Sequence, residues 1–91
     1  MIKNISVIGA GTMGHGIAEV FALHGYNVSL YETNAEIREN AKKVIEDELL
    51  FLLENDFIKK DDIQKTLKNI EMFSDLKEAV KDADYVIEAV P

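Results

Sequence analysis

Apolar residues recur along the chain in two rhythms, short unbroken runs and wider helical spacings, and their alternation predicts the elements. Residues 2–8, IKNISVI, are short, rich in β-branched side chains and closed by glycine, which predicts a strand. Over residues 13–24 the apolar side chains Met13, Ile17, Val20, Phe21 and Leu23 take helical spacing, while Gly14, Ala18 and Ala22 make a ridge of small residues four apart. Such a ridge suits a helix that approaches its neighbour closely. Gly25 stands where a left-handed residue closes a helix, and His24 in the last turn suits the negative end of the helix dipole. A second strand, Asn27–Tyr31, ends on Glu32, so the first 32 residues read as a βαβ unit. Thr33 and Glu36 have the spacing of a capping box for a helix over residues 35–55, with Ile37, Ala41, Val44, Ile45, Leu49, Leu52 and Leu53 as its apolar stripe. Within it LLFLL, residues 49–53, is apolar all round, and one face cannot bury five consecutive residues. A shorter helix is expected to begin at Lys60 or Asp61, and KKDD, residues 59–62, reads as a solvated junction before it. IEMF, residues 70–73, predicts a third strand. A short helix capped by Ser74 or Asp75 follows, then a fourth strand in DYVIEAV whose near-continuous apolar character suits coverage on both faces.

Composition narrows the class of partner. At 91 residues the chain is about one small domain, expected to bury about 60 to 65% of its unfolded surface. A net charge of −7 argues against nucleic acid, whose binding depends on Lys and Arg neutralising phosphates. With no cysteine there is no disulfide framework or thiolate metal site. No run approaches 18 apolar residues, and the amino terminus lacks a cleavage pattern, so a soluble, cytoplasmic chain with no membrane partner is expected.

The chemistry concentrates in GAGTMG. Gly9, Gly11 and Gly14 match G-x-G-x-x-G between a predicted strand and a predicted helix, and Glu32 lies 18 residues beyond Gly14, at the end of the second strand. Each part has a mechanical reason: Gly9 allows the tight turn, Gly11 lets backbone approach a pyrophosphate, and Gly14 lets helix and strand pack closely. The amides of Thr12, Met13 and Gly14 would face the phosphates with the helix dipole behind them. Glu32 would accept hydrogen bonds from the adenosine ribose and repel the 2′-phosphate of NADP, which makes NAD the expected cofactor; Arg38, the next arginine, falls inside a helix.

Other side chains carry less. His15, on the first helical turn, reads as a surface residue and His24 as a helix-end residue; Met13 and Met72 read as core filler. Glu88 lies inside an apolar strand, where a buried carboxylate needs a partner, and it stands equally as a site residue or a structural one. No catalytic or metal-ligating set is assigned.

VIGAGTMGHGIAEVFALHGYNVSLYE, the two-helix excursion after it, and DLKEAVKDADYVIEAVP together resemble the amino-terminal NAD-binding domain of the 3-hydroxyacyl-CoA dehydrogenase family, 3-hydroxybutyryl-CoA dehydrogenases in particular. The resemblance implies an α/β, Rossmann-type parallel sheet, its first half in strand order 3-2-1-4, with a two-helix excursion between strands 2 and 3. It implies hydride transfer between NAD and L-3-hydroxyacyl-CoA. Carried over by position, Gly9, Ala10, Gly11, Thr12, Met13 and Gly14 would hold the pyrophosphate, Glu32 the ribose, and Ala89 and Val90 would lie against the cofactor. Many members have Asp where this chain has Glu32. The resemblance also places Glu48 and Asn55 where the family often has a Ser and a Lys that touch CoA, and Glu48 would repel a phosphate. Residues 1–91 are then expected to be a partial nucleotide-binding domain, inactive alone, of a parent whose catalytic His and Glu and dimer-forming helical domain lie downstream. The competing expectations are a non-catalytic nucleotide-binding or interaction module docking through LLFLL, and a dehydrogenase of a hydroxy acid not carried on CoA.

Overall fold

A computed structural model describes residues 1–90; Pro91, the last residue of the expected domain, lies outside the described residues. The order is β1 (Asn4–Ile8), α1 (Thr12–Leu23), β2 (Asn27–Tyr31), α2 (Ala35–Glu54), α3 (Lys60–Lys68), β3 (Ile70–Phe73), α4 (Leu76–Val80) and β4 (Tyr85–Glu88). All three strand pairings are parallel and the sheet order is β3-β2-β1-β4, as expected for this class. Ile5 and Val7 pair with Val28 and Leu30 in register, and all four are buried in one core with Ala18 and Ala22 of α1 and Ala41 of α2. Side chains alternate faces along a strand, so Ser6 points the other way, where its hydroxyl donates to Ala79 O of α4 at 2.5 Å. Helices α1, α2 and α3 therefore cover one face and the five-residue α4 covers part of the other.

The small-residue ridge of α1 lies against the core as expected, and LLFLL divides as the geometry requires: Leu49 is fully buried, while Leu50 and Phe51 are exposed. Five expectations need correction. Residues 2 and 3 are not part of β1; the Asp84 carboxylate accepts the amides of Lys3 and Asn4 at 2.9 Å each, which lowers its pKa below the ordinary carboxylate value and pins the start of the strand. The cap of α2 is Asn34, not Thr33: its Oδ1 accepts the amides of Glu36 and Ile37 at 2.9 and 3.1 Å. Val20 and Met13, seven residues apart on α1, are exposed because the ridge, not the larger side chains, chooses the buried face. Among the described residues β4 is not covered on both faces; it pairs only with β1 at the sheet margin and exposes Tyr85 and Val86. Glu88, for the same reason, is exposed rather than buried.

Removing the cap should be felt directly. Asn34→Ala is expected to cost about 1 kcal/mol in urea denaturation, and an unchanged midpoint would contradict the capping role.

Candidate nucleotide-binding site

β1 runs straight into the glycine loop. Gly9 takes φ +103° and donates its amide to Tyr31 O at 2.8 Å, and a Cβ there would come within 2.9 Å of Val90 Cγ1 and 3.3 Å of the Ala89 carbonyl. Gly14 is tighter still: a Cβ there would lie 1.7 Å from Gly9 O. Gly11 differs from both, because a Cβ there would meet nothing within 4 Å. Two glycines thus serve internal packing and the third leaves an open cradle. Gly11 is also the N-cap of α1 and supplies no capping side chain, and no acidic residue occupies the first turn. The amides of Thr12, Met13 and Gly14 therefore point out of the helix without an internal acceptor, with the positive end of the dipole behind them. That combination has the geometry and the polarity that suit an anion.

Glu32 reaches the cradle from the end of β2. Its amide donates to Phe73 O at 2.9 Å, Oε1 accepts the Ala10 amide at 3.0 Å, and Oε2 accepts the Asn34 amide at 3.2 Å. Ala89 is held beside the loop by its amide, which donates to Ile8 O at 2.8 Å. Gly9, Ala10, Gly11, Thr12, Met13, Gly14, Glu32, Ala89 and Val90 consequently meet at the carboxyl ends of β1, β2 and β4, where ligands of open parallel sheets bind. A cavity of about 460 Å³ lies elsewhere, between α2, α3 and β3, and takes no part in the cradle.

Two side chains fall in places the periodicity did not foresee. His15 is 7% exposed rather than a surface residue; Gly14 presses the first turn of α1 onto the loop and leaves the His15 ring beneath, Nδ1 3.4 Å from Ala10 O. Met13 is 66% exposed at the mouth of the cradle, so it is not core filler, whereas Met72 packs against the core. His24 lies at the helix end as expected, with Nδ1 2.8 Å from Val20 O.

Sequence reasoning missed two further features. Arg38 Nη1 donates to Glu32 O at 2.6 Å and to Thr33 O at 3.0 Å, tying α2 to the strand end behind the carboxylate. The available signal was its place one turn into a helix, since long helical side chains lean toward the N-terminus. Glu19 of α1 is 6% exposed with Oε1 fully enclosed, and among the described residues no donor reaches that oxygen. Burial, and then the Glu48 carboxyl that it faces from α2, push its pKa from 4.5 up to about 8. Asn55, for its part, spends its side-chain amide on Phe51 O at 2.8 Å.

A family model of the 3-hydroxyacyl-CoA dehydrogenase NAD binding domain matches residues 4–91. The chain belongs to this family. Its cofactor is NAD, in accord with the cradle and the carboxylate beside it. This NAD-binding domain is 36% identical to the mitochondrial hydroxyacyl-coenzyme A dehydrogenase of Homo sapiens over 99% of the chain, but spans only 30% of that relative's length. Among solved structures it matches the 3-hydroxybutyryl-CoA dehydrogenase of Escherichia coli with a TM-score of 0.93 and 37% identity, over 100% of this chain and 19% of that one. It also matches a diketoreductase described as acting on dicarbonyl compounds, at TM-score 0.85 and 40% identity, over 99% of this chain and 32% of the other. The fold of the NAD-binding domain is Rossmann-type. None of its helices is long and apolar enough to cross a membrane, among the described residues.

Proposed function

We propose that residues 1–91 form the nucleotide-binding part of an enzyme that interconverts L-3-hydroxyacyl-CoA and 3-oxoacyl-CoA, and that the chain's own work is to hold and select NAD. The observation that carries this reading is the Glu32 carboxylate hydrogen-bonded to the Ala10 amide at the mouth of the glycine loop, where Gly11 leaves room for a ligand to approach the backbone. When bound, NAD supplies the hydride acceptor. The amides of Thr12, Met13 and Gly14 receive the pyrophosphate oxygens, and the missing side chain of Gly11 leaves them room. Glu32 accepts hydrogen bonds from the adenosine ribose and sets a negative charge against any 2′-phosphate. Ala89 and Val90, which flank Gly9, form the wall on the β4 side. No residue of this chain is assigned to the acid–base step, which belongs with the acyl substrate and a homodimer-forming domain in the rest of the parent enzyme. The reading extends to a cytoplasmic location, although the human relative is named mitochondrial.

Glu32→Ala is the direct test. NADH affinity should fall roughly 10- to 100-fold, the scale of hydrogen bonds to a charged group, while NADPH binding improves. Nicotinamide fluorescence titrations with both nucleotides measure this, and an unchanged preference would overturn the ribose assignment.

A second reading keeps the cofactor and changes the substrate to a hydroxy acid or dicarbonyl not carried on CoA. Glu48 favours it, as does the diketoreductase among the structural relatives. Glu48 presents a carboxyl on α2 where the sequence resemblance implies a CoA contact, and the nearby Asn55 amide is already bonded. Turnover of acetoacetyl-CoA against a simple acetoacetate ester by the parent enzyme separates the two.

A further inference from the structure

We infer that Arg38 is a positioning residue for cofactor selection: by gripping the carbonyls of Glu32 and Thr33 it fixes the Glu32 carboxylate at the mouth of the glycine loop. The inference rests on the nucleotide-binding reading above and deepens it. Glutamate has three side-chain torsions, so a carboxylate at the end of a strand discriminates between a ribose hydroxyl and a phosphate only where its backbone and both oxygens are held. Here each is held by a different element. The Glu32 amide bonds β3 through Phe73 O, Oε1 takes the Ala10 amide from the glycine loop, and Oε2 takes the Asn34 amide from the cap of α2. The remaining groups of that corner, the carbonyls of residues 32 and 33, both go to the one nitrogen of Arg38. Without it the turn between β2 and α2 keeps the Asn34 cap but loses its only tie to the side chains of the α2 body among the described residues.

The same contact decides which way a cation beside Glu32 acts. A free guanidinium near the ribose end would attract a 2′-phosphate and favour NADP. Arg38 instead directs Nη1 to two carbonyls behind the carboxylate, so that this nitrogen braces the backbone that carries the acid. A residue that merely sealed the helix start would affect both nucleotides alike.

The test is a pair of variants, Arg38→Ala and Arg38→Lys, titrated with NADH and with NADPH, together with amide hydrogen exchange at Ala10 in the nucleotide-free chain. Arg38→Ala should weaken NADH about tenfold and leave NADPH unchanged or tighter, so that their ratio collapses. Ala10 exchange should quicken about tenfold as its acceptor wanders. Arg38→Lys, whose ammonium can reach one or both carbonyls, should restore much of each effect. Equal weakening of both nucleotides, or Ala10 exchange that does not move, overturns the proposal and leaves Arg38 a helix fastener. Selective loss of NADPH overturns it in favour of a phosphate ligand. A wild-type chain that binds neither nucleotide removes the reading beneath it, whereas wild-type NADH binding with an unaltered ratio in Arg38→Ala removes this inference alone.

Discussion

Gly14→Ala is expected to lose on the order of 3 kcal/mol or more of folding stability, enough to leave a small domain largely unfolded under mild denaturant. The added Cβ would fall 1.7 Å from Gly9 O and 2.7 Å from Gly9 C. Both are backbone atoms, and neither can move aside. Gly9 is fixed by its hydrogen bond to Tyr31 O and by its left-handed φ, with Ala89 and Val90 closing the other side. The helix must therefore lift, and with it the Ala18 and Ala22 ridge leaves the core. Alanine's better helix propensity returns only about 1 kcal/mol. Gly11→Ala is the control: its Cβ meets nothing, its φ is −68°, and stability should stay within about 0.5 kcal/mol while nucleotide binding suffers. Urea denaturation followed by far-UV circular dichroism decides the matter, and equal midpoints for the two variants would refute the packing argument.

The second large effect is a pH dependence and its removal. Glu19 titrates near 4.5 when unfolded and at about 8 when folded, so between those values the folded chain holds a proton that the unfolded chain releases. Its contribution is full below about pH 4.5 and is lost as pH rises through about 8. At about 1.4 kcal/mol per pH unit, shared with a Glu48 carboxyl at the surface, the loss between pH 5.5 and 8.5 is expected to be roughly 2 to 4 kcal/mol. Glu19→Gln should abolish it, because a neutral amide donates to Glu48 as the protonated acid does. His15, one turn earlier on α1, is the same in both proteins, and Thr66 of α3, whose hydroxyl donates to Asp62 O, does not titrate. The difference between the two stability profiles thus isolates Glu19. Parallel profiles would show that the pair holds no proton.

What the chain's pattern made legible was whatever depends on local spacing. The β2 and β3 bounds, the excursion between them and the convergence of Gly9, Gly11, Gly14 and Glu32 follow from runs, periods and one fingerprint, whereas the sheet order follows from the family resemblance. The failures come from neighbours distant in sequence. The start of β1 is set by Asp84, some 80 residues away. The buried face of α1 is set by how closely it approaches Gly9, which brings His15 in and leaves Met13 out. The cap of α2 falls one residue beyond Thr33 because Thr33 and Asn34 are both competent and only the turn geometry chooses. Glu19 hides its partner on another helix, so neither residue alone looks unusual.

The pairing of β4 with β1 has a kinetic consequence. The first 73 residues contain three neighbouring strands and the helices between them, and each step adds to something close in sequence. β4 must instead cross the whole chain to reach β1, which makes it the contact with the greatest loop-closure entropy and places its docking late in folding. Ala89 and Val90, which wall the glycine loop, arrive with it. Completing the cradle therefore carries that closure cost, and a dinucleotide that binds only the completed cradle offsets it, holding the docked strand and drawing the population toward the native chain by mass action.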